Sequence, residues 1–223
     1  MENRFKLNIG PISGAEQLKL NQSRVFIAGC GGVGGYLLEY MTRLGVGHIT
    51  CADCDRFEES NQNRQILCSS DTLGKKKAEC AVGRVLEIWP QADIRGLDVY
   101  LAPENLPGLI GGFDLVMDAL DNVPSRKALG DACFEAGIAL AHGAASGWLA
   151  QAALAGPGRR LYDVLYEGAG RPAPGILPFA AALAASMQAA LAAKYLCGRR
   201  GDGTENRLYI LDLQIMEMDS IEF

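Results

Sequence analysis

The chain has 223 residues, a length that suits one α/β domain with a full hydrophobic core. Its net charge of -5 and sequence pI of about 5.1 disfavour a nucleic-acid-binding protein, which normally presents a basic surface. The first residues lack the apolar stretch of a signal peptide, and 7 cysteines without such a signal indicate reduced thiols. We therefore expect a cytoplasmic protein with neither a membrane segment nor a nucleic-acid partner.

Hydrophobic runs and helical segments alternate through the first two thirds of the chain. The predicted strands cover residues 25–28, 49–52, 92–97, 113–118 and 138–142. The predicted helices cover residues 32–44, 72–88, 103–110 and 123–136. Strands separated by helices of this length are typical of βαβ units. The pattern predicts a Rossmann-like, mainly parallel α/β sheet with helices on both faces.

After residue 147 the pattern changes, and we expect antiparallel strands to be added in the C-terminal half. Residues 148–155 and 160–166 are predicted to form a hairpin, and residues 207–213 and 215–221 two final strands. The Gly/Pro-rich stretch 167–176 is predicted to be a mobile crossover loop. We interpret residues 1–223 as a single domain, in which 1–22 form an N-terminal arm with a short helix.

Two further segments each allow two interpretations. The alanine-rich stretch 176–196 has the length of a membrane span, but polar residues interrupt it, which favours a helix buried in the core or a dimer interface. Cys51 and Cys54 have the CxxC spacing of a metal or redox site. They continue a predicted strand, and a zinc site needs a second ligand pair, so a structural role is favoured.

A glycine-rich loop directly follows the first predicted strand and opens the first long helix. Its glycines are Gly29, Gly31, Gly32 and Gly34. Such a loop brings phosphate oxygens close to the free N–H groups of a helix N-terminus. About twenty residues later, Asp53 ends the second strand, where a carboxylate can bind ribose hydroxyls. The spacing predicts a nucleotide site.

Basic residues beyond this loop are not needed for hydride transfer and favour a triphosphate ligand. Arg64 lies on a polar loop, and its planar guanidinium can hold phosphate oxygens through two N–H groups. Lys77, early in the next helix, offers a point charge for phosphate. On spacing alone, Lys75 and Lys76 remain alternatives to Lys77.

A carboxylate for a metal ion is expected where the fourth strand ends. Asp121 follows the run 113–118, at the C-terminal strand edge where α/β sites usually lie. Mg²⁺ prefers hard oxygen ligands and bridges phosphates. We therefore expect ATP together with Mg²⁺, bound by Asp121, with Asp118 as an alternative ligand.

Taken in order, these motifs resemble the ThiF/MoeB/HesA family, the bacterial relatives of ubiquitin-activating enzymes. The resemblance is close over residues 24–147 and looser beyond them. The motifs that carry it are Gly29-x-Gly31-Gly32-x-Gly34, Asp53-x-Asp55, Ser60-Asn61-x-Asn63-Arg64-Gln65, Gly74-x-x-Lys77 and Asp121-Asn122-x-x-Ser125-Arg126.

The resemblance implies a homodimer that uses ATP and Mg²⁺ to adenylate the C-terminal Gly-Gly carboxylate of a small ubiquitin-like sulfur-carrier protein, with release of pyrophosphate. It implies catalytic roles for Arg64, Lys77 and Asp121, and selects Lys77 over its two neighbours. It places Gly32 beside the nucleotide and Asp53 on the ribose. The remaining residues that it implies for the nucleotide site are Asp55, Ser60, Asn61, Asn63 and Asn122.

The chain departs from this family in its cysteines and in its arm. Only Cys197 follows Phe134, which excludes the four-cysteine zinc site of many members and a thioester-forming cysteine in the crossover loop. Activity is therefore expected to stop at the acyl-adenylate. In the family this arm resembles Arg-Tyr-x-Arg, and its second arginine reaches the ATP of the dimer partner. In this chain Leu7 stands at the position of that arginine. Arg4 and Lys6 are its nearest substitutes.

Three other functions remain as alternatives. The Leu7 departure favours a weak or inactive nucleotide-binding scaffold for a carrier protein, since losing an arginine finger costs several orders of magnitude in rate. A tRNA-modifying dehydratase relative is disfavoured by the acidic pI. An NAD-dependent oxidoreductase is disfavoured by Arg64 and Lys77.

Overall fold

The structure, a computed structural model, describes residues 3–166 and 175–223. The strands in these ranges are β1 Arg24–Ala28, β2 His48–Ala52, β3 Asp93–Leu97, β4 Leu115–Asp118, β5 Ala139–Ser146, β6 Leu149–Ala155, β7 Arg207–Asp212 and β8 Glu217–Glu222. The α-helices are α1 Gly14–Gln22, α2 Gly34–Leu44, α3 Lys77–Ile88, α4 Leu106–Ile110, α5 Val123–Ala136, α6 Leu161–Leu165 and α7 Pro178–Cys197. In the same ranges, 3-10 helices cover Asn3–Asn8 and Glu59–Asn61.

All of these strands belong to one sheet in the order β3-β2-β1-β4-β5-β6-β7-β8. The five strands from β3 to β5 are parallel, and β6, β7 and β8 add antiparallel strands at one side. The predicted fold class is therefore confirmed. The strand order reverses between β1 and β4, and ligands of open α/β sheets bind at the carboxyl ends of strands at such a point.

Side chains of the central strand alternate between two hydrophobic cores, one on each face of the sheet. Val25 and Ile27 of β1 pack into the core that contains residues of α2, α3 and α7. Phe26 and Ala28 pack into the core that contains residues of α4, α5 and α6. The period of two along a strand that is buried on both sides explains its continuous apolar run.

The predicted hairpin of residues 148–155 and 160–166 is wrong. The first segment forms β6, but its partners are β5 and β7, and the second segment contains helix α6. The chain leaves the sheet at Gly156, whose N–H donates to Oδ1 of Asn206, 3.0 Å away. The edge of β6 that the hairpin would have used is taken by β7, from a distant part of the sequence. No local pattern contains that information.

Helix α3 starts at Lys77 rather than at Thr72, where the helix was predicted to begin. Residues before it form a turn in which Gly74 has a φ of +75°. The strand-like pairing of Phe57 N–H with the carbonyl of Lys75, 3.0 Å away, holds this turn outside the helix. A glycine in the left-handed region cannot belong to a regular α-helix, so the helix begins after Gly74. The apolar periodicity of the segment continues through this glycine and therefore predicted too early a start.

The alanine-rich helix was predicted over residues 176–196 and is observed as α7. Within the described ranges it is the one helix long and apolar enough to cross a membrane, which by itself is weak evidence for a span. Of its most apolar window, 56% is buried inside the protein, and the helix packs against β5, β6 and α2. Its apolar character is thus used by the core.

The N-terminal arm folds onto its own chain. Its 3-10 helix buries Phe5, whose ring packs edge-on against Trp89 with 5.2 Å between the centroids. Helix α1 follows with a capping box, in which Ser13 and Glu16 satisfy each other's backbone N–H groups. Of the predicted crossover loop 167–176, residues 167–174 lie outside the described part of the chain.

Candidate functional site

The loop between β1 and α2 is too tightly folded for side chains at two of its glycines. A Cβ atom added at Gly34 would lie 1.9 Å from the carbonyl oxygen of Gly29. One added at Gly29 would lie 2.7 Å from the carbonyl oxygen of Ala119, and Gly29 itself has a φ of +98°. At the start of α2, Val33 makes no side-chain cap. The backbone amides of this loop are thus suited to an anion.

Asp53 ties the end of β2 to this glycine loop. Its Oδ2 accepts a hydrogen bond from the backbone N–H of Cys30, 2.7 Å away, and its Oδ1 from that of Asp55, 2.8 Å away. Burial raises the pKa of Asp53, although these N–H groups and Lys77 oppose the shift. Each carboxylate oxygen retains a second lone pair, which a ribose hydroxyl can use.

Arg64 packs against the glycine loop, as a phosphate ligand there would require. A Cβ atom added at Gly32 would lie 3.4 Å from Cγ of Arg64, so the arginine stem lies directly on the loop. Its Nη1 donates to the carbonyl of Ser60 at 3.1 Å and to Oδ1 of Asn63 at 2.8 Å. The guanidinium is therefore oriented by its own loop.

The rest of this polar loop is held largely by its own side chains. Oδ1 of Asn61 accepts a hydrogen bond from the N–H of Glu58 at 3.1 Å, and Nδ2 of Asn63 donates to the carbonyl of Ile176 at 3.0 Å. These contacts keep the asparagines and Ser60 in one turn beside Arg64. In this structure, Asn61 and Asn63 shape the loop.

Gln65 ends the motif Ser60-Asn61-x-Asn63-Arg64-Gln65, and the structure places its side chain against the glycine loop. It is only 6% exposed, and a Cβ atom added at Gly31 would lie 3.6 Å from its Nε2. Its Oε1 is buried and has no hydrogen-bond partner in the described ranges. A buried polar atom without a partner is rare and calls for an explanation such as a ligand.

Lys77 lies at the first residue of α3, facing Asp55. Its Nζ is 2.9 Å from Oδ2 of Asp55, and its side chain is only 8% exposed. The alternatives that spacing left open have other positions. Lys76 pairs with Asp98 at 2.7 Å, and Lys75 lines a separate groove beside α2 and α3. The structure therefore favours Lys77.

Asp121 and Asp118 differ sharply in access. Asp121 is exposed, and its Oδ1 accepts one hydrogen bond from Nδ2 of Asn122 at 3.2 Å. Asp118 is fully buried; its Oδ2 lies 2.8 Å from Nδ1 of His142 and accepts a hydrogen bond from the hydroxyl of Tyr162. A carboxylate engaged in this way is closed to a metal ion. Of these two carboxylates, Asp121 has the access that a Mg²⁺ ligand requires, and Mg²⁺ needs few protein ligands when phosphates and water supply the others.

Behind this strand end lies a group of polar residues that the sequence did not predict to meet, four of them buried and Tyr166 half-buried, here called the buried charge cluster. Its members are Asp118, Arg126, His142, Tyr162 and Tyr166. Burial by itself would raise the pKa of Asp118, but the Arg126 charge and the bonds from His142 and Tyr162 outweigh it and lower the pKa. Burial lowers the pKa of His142. A charged residue ending an apolar strand was the available signal.

The CxxC pair does not form a metal centre with its neighbours. Cys51 is buried in the core and Cys54 is exposed, and both are free thiols. In residues 3–166 and 175–223 no group of three or more His, Cys, Asp or Glu side chains is arranged to hold a metal ion. The expectation that the protein carries no zinc stays a prediction.

Comparison with known proteins supports the family suggested by the motifs. A family model described as the ThiF family matches residues 5–223. The fold resembles that of E. coli MccB, with a TM-score of 0.87, over 99% of this chain and 69% of that one. At 20% sequence identity this likeness concerns the fold alone.

Several curated proteins are similar in sequence. The SAMP-activating enzyme E1 of Haloferax volcanii is 32% identical over 216 residues, 93% of this chain and 79% of that protein. The molybdopterin-synthase adenylyltransferase of Escherichia coli is 40% identical over 129 residues, 58% of this chain and 52% of that protein. A tRNA threonylcarbamoyladenosine dehydratase of Haemophilus influenzae is 36% identical over 130 residues, 57% of this chain and 49% of that protein.

These matches cover very different shares of the relatives. The chain spans most of the Haloferax protein but only 52% and 49% of the other two. The predicted family is confirmed, and the relatives' names bear out the predicted enzyme class, a nucleotidyltransferase. The dehydratase among them keeps one of the alternatives in view.

Proposed function

Because the chain belongs to the ThiF family, we propose that it is an ATP-dependent adenylyltransferase that activates the C-terminal Gly-Gly carboxylate of a ubiquitin-like sulfur-carrier protein. The adenylyltransferase and activating-enzyme names of its relatives support the reaction type. The Gly-Gly tail and the sulfur carrier rest on the motif resemblance. The product is an acyl-adenylate, and pyrophosphate is released.

The observation that carries this proposal is the position of Arg64 on the glycine loop. Its stem packs on Gly32, while Ser60 and Asn63 orient its guanidinium. A cation fixed at a phosphate-binding loop stabilises charge on phosphate oxygens, which hydride transfer does not require. This placement favours ATP over the NAD-dependent alternative.

The reaction needs charge neutralisation more than acid or base catalysis. A carrier carboxylate oxygen attacks the α-phosphorus, a new C–O–P link forms, and the bond from that phosphorus to the bridging oxygen breaks. The leaving group is pyrophosphate. The carboxylate is already ionised at neutral pH, but it must approach a polyanion. Arg64 and Lys77 reduce that repulsion and stabilise the charge of the transition state.

The remaining site residues fit the other parts of the nucleotide. The amides of the glycine loop would bind the phosphates. Each oxygen of Asp53 accepts one backbone N–H, and its remaining lone pairs would accept the ribose hydroxyls. The exposed carboxylate of Asp121 would bind Mg²⁺. When bound, Mg²⁺ neutralises phosphate charge and orients the leaving pyrophosphate.

Labelled pyrophosphate exchange into ATP, in the presence of a small protein that ends in Gly-Gly, tests this function. The wild type should exchange, and Arg64→Ala should lower the rate by about a hundredfold or more. Arg56→Ala is the matched control, because Arg56 is also a loop arginine, donating to the carbonyl of Gly74 at 2.8 Å. Equal rates for wild type and Arg64→Ala, with both folded, would contradict the proposal.

The proposal includes a homodimer in the cytoplasm. Leu7 of the N-terminal arm is 91% exposed, which is the orientation expected if the arm contacts a second subunit. Sedimentation of the purified chain measures this directly. A monomer at micromolar concentration that still exchanges pyrophosphate would remove the dimer from the proposal.

A non-catalytic scaffold is the second candidate, and the side chain at position 7 favours it. Without an arginine there, the chain would bind Mg-ATP and a carrier but exchange no pyrophosphate. The dehydratase relative suggests a third test with tRNA, for which binding should weaken steeply with salt. The net charge of -5 disfavours that outcome.

A further inference from the structure

The buried charge cluster holds the loop that carries Asp121. The backbone N–H of Leu120 donates to Oδ1 of Asp118, 2.9 Å away. The carbonyl of the same residue accepts a hydrogen bond from Nε of Arg126, also at 2.9 Å, and a second one from Nη2. Nε of Arg126 lies 3.6 Å from Oδ2 of Asp118, so the two side chains form an ion pair. The two members of this buried ion pair therefore hydrogen-bond the N–H and the carbonyl of Leu120, the residue that precedes Asp121.

The neighbours of Leu120 and Asp121 are anchored as well. The N–H of Ala119 donates to the carbonyl of Ala28 at 2.8 Å, which fixes the loop to β1. Oδ1 of Asn122 accepts a hydrogen bond from the N–H of Ser125 at 2.9 Å and caps α5. Asp121 stands between these fixed points with an exposed carboxylate. The backbone direction of Asp121 is therefore set by hydrogen bonds on both of its sides.

Arg126 is in turn held in one orientation. It is only 8% exposed, and its Nη1 donates to the hydroxyl of Tyr166 at 2.6 Å. Asp118 is fully buried, and Tyr162 and His142 occupy its other oxygen. These contacts hold both partners of the ion pair in one arrangement, whether or not the pair adds net stability compared with apolar packing.

We propose that Arg126 is a positioning residue for the metal site: through Leu120 it fixes the direction in which Asp121 presents its carboxylate to the Mg²⁺ of Mg-ATP. The inference rests on the proposed function, because it takes Mg-ATP as the ligand. Residues behind a ligating carboxylate tune metal affinity by orienting it. The Arg126 guanidinium, which donates to the hydroxyl of Tyr166, acts on Asp121 through the backbone of the preceding residue, Leu120.

Binding of ATP, measured by calorimetry over a series of Mg²⁺ concentrations, tests this role without a carrier. Arg126→Lys keeps the charge but loses the paired hydrogen bonds to Leu120, and it should raise the half-saturating Mg²⁺ concentration about tenfold. Tyr166→Phe removes one hydrogen bond from Arg126 and should give a smaller shift in the same direction. ATP affinity without Mg²⁺ should stay unchanged in both. A purely structural role would lower thermal stability and both affinities together.

Two further variants calibrate the measurement. Asp121→Asn should abolish the Mg²⁺ dependence. Arg84→Lys is the matched control, because Arg84 also pairs with a mostly buried carboxylate. Its Nε lies 2.5 Å from Oε1 of Glu39, in the separate groove beside α2 and α3 that Lys75 also lines. It should leave the Mg²⁺ midpoint at the wild-type value.

The outcomes separate this inference from the proposed function. A folded Arg126→Lys protein with the wild-type Mg²⁺ midpoint overturns the inference, as does ATP binding by the wild type that ignores Mg²⁺. If Arg126→Lys does not fold, Tyr166→Phe decides in the same way. Mg²⁺-dependent ATP binding that responds to both variants, without pyrophosphate exchange by the wild type, overturns the proposed function and leaves the inference standing.

Discussion

Lys77 and Asp55 are joined twice, once through their side chains and once through their backbones. Nζ of Lys77 lies 2.9 Å from Oδ2 of Asp55, and the N–H of Lys77 donates to the carbonyl of Asp55 at 2.9 Å. The first residue of α3 is therefore fixed to the segment that follows β2. An ammonium held in this way retains its direction before any nucleotide binds, which reduces the entropy lost on binding.

Lys77→Ala should lower pyrophosphate exchange by about a hundredfold or more, because a fixed positive charge near the phosphates is lost. The fold should survive, since the Asp55 side chain is 59% exposed and is not left as a buried unpaired charge. Lys76→Ala is the control: it removes the neighbouring lysine, which pairs with Asp98, and should retain exchange. If both variants lost exchange equally, the choice of Lys77 would be wrong.

Gln65→Leu should stabilise the free protein and weaken its binding of ATP. The change removes a buried oxygen that lacks a partner in the described part of the chain, which should raise the free energy of unfolding by about 1 kcal/mol. If the amide next to Gly31 contacts the nucleotide, the gain in melting temperature on adding Mg-ATP should shrink. Gln62→Leu, at an exposed position of the same loop, is the control. An undiminished response to Mg-ATP would assign Gln65 to packing alone.

The elements that local sequence determines were predicted well. The helix α5 was predicted over residues 123–136 and is observed as Val123–Ala136, because Asn122 caps it and Gly137 ends it in the left-handed conformation. The apolar run before the glycine loop predicted β1, because a strand buried on both faces is continuously apolar and the loop glycines end it. Where caps, turns and periodicity agree, one sequence is sufficient.

What could not be predicted depends on contacts between distant segments. The partner of β6 comes from residues 207–212, and α6 forms because Leu161 and Tyr162 are buried against α5. The buried charge cluster joins Asp118 to Tyr162 across 44 positions of sequence. The sequence left Asp118 as an alternative to Asp121 for the metal ion, because spacing cannot reveal that other side chains occupy the Asp118 carboxylate.

Acid should destabilise the protein through His142. Burial lowers the pKa of His142 from its ordinary value of 6.5, and the hydrogen bond to Asp118 only partly opposes this. As pH falls below 6.5, the unfolded chain binds the proton first, so the folded state loses stability until its own lowered pKa is passed. The melting temperature should therefore fall as the pH drops below about 6.5.

The comparison of two histidine variants checks this assignment. His142→Gln removes the titrating ring and should flatten the dependence of the melting temperature on pH, whatever its effect on stability at neutral pH. His48→Gln changes the other histidine, which lies near the surface beside Asp93, and should retain the wild-type slope. The reverse result would show that the buried ring does not control the acid response.

Substitution of Leu7 in the N-terminal arm tests the catalytic interpretation most directly. Phe5 anchors the arm by packing on Trp89, while Leu7 two residues later is 91% exposed. A change at Leu7 should alter the free energy of unfolding by less than about 0.5 kcal/mol. Effects on the rate can thus be separated from effects on the fold.

Leu7→Arg should raise pyrophosphate exchange by about tenfold or more if the arm reaches the phosphates of the partner subunit, because an added guanidinium stabilises transition-state charge. Leu18→Arg places the same charge at another exposed leucine, on α1, and should leave the rate unchanged. The rate is measured with saturating carrier and Mg-ATP for both variants. An equal rise in both would reflect net charge rather than an arginine finger. No rise in Leu7→Arg, together with Mg-ATP binding but no exchange by the wild type, would favour the scaffold, because supplying the missing arginine did not restore catalysis.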